Sequence, residues 1–126
     1  MLLDDIANYL ASHGITGVYK GFMPDKPDDV MALFEYAGSP TELTMGEGDP
    51  VVERPGLQVR VRSRSYPAGR AKIQEVVDIL HGVAGVVLGG TRYLLIRANQ
   101  SPASLGLDQN NRSEFVVNFE VIKESD

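Results

Sequence analysis

The chain has 126 residues, 43% of them apolar and 23% charged, a balance that supplies one core and argues against disorder. It contains no cysteine, which excludes a disulfide framework, a thiolate nucleophile and a thiolate-bound zinc, and fits folding in a reducing cytoplasm. The net charge of −5 is the wrong sign for phosphate neutralisation by the molecule as a whole, and no apolar run nears the ~20 residues that span a bilayer, so a soluble chain with no membrane partner is expected.

Residues 2–13 place Leu2, Leu3, Ile6, Tyr9 and Leu10 at helical spacing, with Asp4, Asp5, Asn8 and Ser12 on the opposite face and Gly14 as the stop. Asp4 and Asp5 fall in the first turn, where the helix N-terminus favours carboxylates. The segment VYK reads as a short strand. FMPDKPDD then leaves any ladder, because Pro24 and Pro27 have no N–H to offer. Its Asp25, Asp28 and Asp29 could gather a calcium ion, but the order of a calcium-binding loop is missing and solvated carboxylates are the stronger expectation.

VMALFEYAG, residues 30–38, predicts a strand buried on much of both faces. An irregular connection is expected from Gly38 to Pro55, broken by Pro40, Pro50 and Pro55. It carries Glu42, Glu47, Asp49 and Glu53 with no base from Thr41 to Glu53. GLQVRVRSRS follows with strict period two: Leu57, Val59 and Val61 on the core face, Gln58, Arg60, Arg62 and Arg64 on the other. Ser65 or Tyr66 leads into Pro67 at the first turn of a helix whose apolar stripe is Ile73, Val76, Val77 and Leu80, ending at Gly82. Residues 83–98 predict a hairpin turning at GGT, SPASLGLDQNN a second irregular connection, and EFVVNFEVIK a last strand with one wholly apolar side.

The predicted fold class is α+β: a single domain over residues 1–126, with a mainly antiparallel sheet of about five or six strands and two helices packed on one face. No internal repeat stands out.

Catalytic chemistry finds no footing. There is no phosphate-binding glycine loop ending in Lys and Ser or Thr, no H-E-x-x-H and no G-x-S-x-G, so neither a catalytic residue, a metal site nor a cofactor is expected. His13 and His81 each end a helix, where the last carbonyls favour an imidazolium.

The arginine stripe is the feature to explain. One reading pairs it across strands with Glu35, Glu53 or Glu120 of the same chain. The other reserves it for a partner, since arginine forks carboxylates and dehydrates more readily than lysine at interfaces. A module binding nucleic acid or a small ligand through Arg60, Arg62 and Arg64 is a third possibility, with only Tyr66 nearby as a stacking platform.

LLDDIANYL, VMALFEYAG, PGLQVRVRSRSYPAGRAKIQEVVDILHG and FVVNFEV together resemble the minor capsid and tail terminator proteins of long-tailed bacteriophages. The most specific piece is the arginine-bearing strand followed by its helix. The resemblance implies a non-enzymatic virion subunit at the head–tail junction, made in the bacterial host cytoplasm. Its partners would be copies of itself in a ring, typically of six, the tail tube protein and the head connector protein; DNA would pass through without tight binding. Another head–tail joining protein would fit the same size and composition.

A ring needs two different, complementary patches on each subunit. Arg60, Arg62 and Arg64 are the expected basic patch, and Glu42, Glu47, Asp49 and Glu53 the acidic one. The acidic balance serves solubility, or repels DNA from a lumen over the ~8 Å range of charge at physiological salt.

Overall fold

The computed structural model describes residues 1–42 and 51–125, with residues 39–42 described by backbone alone. Its helices are α1 (Leu2–Ser12) and α2 (Tyr66–Leu80). The strands are β1 (Tyr19–Lys20), β2 (Val30–Glu42), β3 (Val52–Ser63), β4 (Val83–Leu88), β5 (Thr91–Ala98), β6 (Ala103–Leu107) and β7 (Ser113–Glu124). They form one sheet in the order β1-β2-β3-β7-β5-β4, with β6 also on β7. β1 runs parallel to β2, and the other pairings are antiparallel.

β7 organises the sheet. β3 pairs along the whole of one side, while β5 and β6 share the other, β5 against Phe119–Lys123 and β6 against Ser113–Val116. The period-two pattern sets the register, because a slip of one residue would turn every apolar side chain to the wrong face. Leu57, Val59 and Val61 lie opposite Phe119, Val117 and Phe115, all buried. Ile6 and Leu10 of α1 and Ile73, Val76 and Leu80 of α2 join them in one core cluster. Both helices therefore cover the same face, as predicted. Each fully buried Phe or Leu contributes about 1.5–3 kcal/mol relative to exposure.

Local chemistry explains the element ends. The Ser65 hydroxyl accepts the Ala68 N–H at 3.3 Å and Pro67 sits in the first turn of α2. The β4–β5 hairpin turns at Gly89 and Gly90, both at positive φ (55° and 83°), the requirement of the two-residue turn that matches strand twist.

Several expectations are corrected. The irregular connection predicted for 38–55 begins later and ends earlier, since β2 reaches Glu42 and β3 starts at Val52. Pro40 and Pro55 are accommodated beside register shifts between Tyr36, Ser39 and Glu42, where the ladder needs no N–H from them. The second connection contains β6, a seventh strand. All five of its residues are exposed, so it carried no alternation to read.

Asp5, expected on the polar face of α1, is 5% exposed and accepts a 2.6 Å hydrogen bond from the Tyr93 hydroxyl. His81 does end α2, but its Nδ1 accepts the Ala98 N–H at 3.0 Å.

Candidate functional site

The sheet face away from the helices is open, and β3 runs through its middle. Gln58, Arg60 and Arg62 on this face lie opposite Phe34, Ala32 and Val30 of β2 and opposite Asn118, Val116 and Glu114 of β7. Each end is closed by arginines, and the centre is not.

At one end the loop between β1 and β2 folds over β3 and is held by two buried guanidinium groups. Arg62 is only 4% exposed. Its Nε donates to the Asp28 carbonyl at 3.1 Å, and its Nη2 to the carbonyls of Pro24, Asp25 and Pro27 at 2.6, 3.1 and 2.8 Å. Arg112, also 4% exposed, donates from Nη1 to the Asp25 carbonyl (2.6 Å) and the Asp28 carboxylate (3.3 Å), and from Nη2 to the Asp25 carboxylate (2.8 Å). Its Nε bonds Asp108 at 2.8 Å, joining the loop to the β6–β7 turn. Arg64, exposed at the rim, pairs with Asp28 at 2.5 Å, and its N–H donates to the Asp29 carboxylate at 3.0 Å.

These contacts favour the charged forms of the groups involved. The hydrogen bond from Arg64 is the main influence holding the Asp28 carboxyl below its ordinary value. Asp108 is lowered chiefly by the backbone N–H of Arg112, and Arg112 is raised chiefly by Asp25. Asp25 and Asp28, expected as solvated loop acids, are counter-ions to arginine.

The other end is built on Glu120. Arg97 donates from Nε and Nη2 at 2.9 and 2.5 Å, and Arg54 from Nη1 at 3.2 Å. Arg97 is the main cause of the lowered Glu120 carboxyl. Beside them Tyr36 lies across Gly56, where a Cβ would collide with its ring. Its hydroxyl donates to the Phe119 carbonyl at 3.3 Å and accepts from Asn99 at 3.2 Å.

Between the two ends, Gln58 donates to Asn118 at 3.0 Å and so satisfies its own strand pair. Arg60 is different. Its cross-strand neighbours are Ala32 and Val116, and its Nε is buried with no hydrogen-bond partner. No ion pair reaches it among the described residues. A half-buried cation facing apolar neighbours is a poorly compensated charge.

The predicted basic patch thus divides. Arg60 has no ion pair among the described residues; Arg62, expected beside it on the surface, is buried in its own chain, where four carbonyls of one loop converge on it. Arg64 is exposed but already neutralised. Neither Glu53 nor Glu120 bonds to these arginines; Glu53 holds Lys123 at 3.0 Å. Glu42 lies at the end of β2, with only its backbone described, and Glu47 and Asp49 lie outside the described residues. Arg112, Arg54 and Arg97 were missed by sequence reasoning. The Asp108–Arg112 spacing and the acids of PDKPDD were the available signals for the first.

This fold has known counterparts. A family model described as bacteriophage tail terminator protein matches residues 6–125. A search of curated proteins finds no match. Among solved structures, a chain in the virion of a native gene transfer agent particle is similar, with a TM-score of 0.67 and 16% identity, covering 98% of this chain and 95% of that chain. At that identity the likeness is one of fold. The family match spans nearly the whole sequence, and on that ground this chain belongs to the bacteriophage tail terminator proteins, structural components of phage-type virions.

Proposed function

We propose that this chain is a tail terminator subunit that closes into a ring of six copies on the end of a finished tail tube, stops tube growth, and presents a surface to the head connector. The observation that carries the reading is the family match over residues 6–125. The role is one of shape and charge complementarity at the head–tail junction, without catalysis or cofactor. DNA traverses the ring without being tightly held.

Arg60 supplies the physical element a ring needs. Among the described residues its guanidinium has no ion-pair partner, and a neighbouring subunit or tube end that offers a carboxylate would compensate it. The acidic stretch containing Glu42, Glu47 and Asp49 is the complementary patch we assign. Glu53 belongs to it less well, because Lys123 already neutralises it. Nucleic-acid binding through the stripe is weakened for the same reason that partner binding narrows to Arg60: two of the three cations are engaged internally.

Micrographs of tails made without this protein test the reading. Overlong tubes without heads are expected. Tails of normal length that fail to join heads would assign the chain to connection in place of termination.

A further inference from the structure

Sheet edges are the backbone groups most prone to pair with another chain, and natural proteins protect them with charges, prolines, bulges or covering elements. The edge formed by β4 and β6 has little such protection. Residues 83–91 and 98–107 contain no Asp, Glu, Lys or Arg. Three of the large exposed apolar side chains sit there: Val87 at 65%, Leu105 at 47% and Leu107 at 66%. In β6 the only edge device is the register shift between Ser104 and Gly106, with Gly106 at φ 89°.

β6 is also held ready. The turn that follows it is clamped by Asp108, whose N–H donates to the Arg112 carbonyl at 2.9 Å. Its Oδ1 accepts the N–H groups of Asn110 and Arg112, each at 2.9 Å. With Arg112 Nε on Oδ2, the hairpin is braced against the loop over β3. An edge strand that is ordered before binding loses little entropy on pairing.

The same sheet carries a complementary edge on its opposite side. β2 is 13 residues long, but β1 pairs only with its Ala32 and Leu33. From Phe34 onward its outer edge has no strand beside it among the described residues. Two different open edges on opposite sides of one sheet meet the condition for head-to-tail contact between identical copies.

Strand direction agrees. β7 runs with β2, because each is antiparallel to β3, and β6 runs against β7. Copies related by rotation about an axis along the strands would therefore bring β6 against β2 in the antiparallel sense, which extends a sheet with direct hydrogen bonds.

We propose that β6 of one copy adds to the outer edge of β2 of the next, joining neighbouring subunits into one continuous sheet. The proposal rests on the ring reading above and names the contact that closes it. Arg60 lies two strands in from β6, through Val116 and Ala103, so the neighbour's strand added there lies three strands out, about 14 Å from it at ~4.8 Å per strand.

Two measurements decide it. In Leu105→Lys/Leu107→Lys, native mass spectrometry should show at least tenfold weaker assembly, with the circular dichroism of the unaltered chain, since both side chains already meet solvent. Because the chain has no cysteine, engineered pairs report without background. Leu105→Cys or Leu107→Cys combined with Glu35→Cys or Ala37→Cys should give an oxidised ladder ending in a closed ring, and each single variant should not.

A ring that forms without any ladder, or a ladder obtained only with Val87→Cys as the partner of the β2 cysteines, overturns the edge assignment and leaves the terminator reading standing. Failure of the unaltered chain to form any ring, free or on tubes, removes both.

Discussion

Two arginines two positions apart on β3 have opposite fates, and the difference is what lies above them. Arg62 is covered by four carbonyls of the β1–β2 loop, whereas Arg60 has Ala32 and Val116 beside it and an unpartnered Nε. Arg62→Ala would strand those acceptors, and we expect a stability loss of roughly 3 kcal/mol, on the order of 10 °C in the unfolding midpoint. Arg60→Glu should move stability by no more than about 0.5 kcal/mol while weakening assembly at least tenfold. Thermal unfolding and native mass spectrometry on the two variants check this, and equal loss of stability in both would contradict it. Alternation placed both residues on the open face correctly. It could not say which was covered, because the covering loop contributes backbone oxygens that sequence spacing does not advertise.

Among the elements, the strands with clean alternation and the helices with caps were legible. β3, β7 and the hairpin β4–β5 lie where period two and the Gly89–Gly90 turn put them, and α2 starts at the Ser65 cap. β6 was hidden for a physical reason: an edge strand with both faces in solvent has no inside and outside to alternate between. The loop 22–29 and the turn 108–112 were read separately, yet Arg112 binds both into one unit.

That unit predicts a pH response. Asp28 and Asp108 have folded-state pKa values below their ordinary ones, so as acid is added the unfolded chain takes up their protons first. Their stabilisation is complete above the unfolded value of about 3.9 and is lost as pH falls through the lower folded values. The midpoint should stay level from about pH 7 to 5 as far as these groups are concerned and fall below about pH 4. Asp108→Asn should start lower at pH 7 and decline less steeply. Parallel declines in the two proteins would show that the clamp is not the acid-sensitive element.

For the whole molecule, one face of the sheet is closed by helices and the other is bound at each end by arginine networks with the unpartnered Arg60 Nε between them, while two unlike edges remain open among the described residues. A monomer gains nothing from that arrangement. A subunit added once at a defined place does, since unlike patches permit closure and charge opposes wrong pairings. The sequence patterns carried the α+β class and the family resemblance, but not the stepped edges, which arise only when β5 and β6 divide the side of β7 between them. Native mass spectrometry of the purified chain across concentration, alone and with tail tubes, is the most direct test of this account. It predicts one closed species of six subunits growing at the expense of monomer; monomer alone under both conditions, or an open-ended series of sizes, would contradict it.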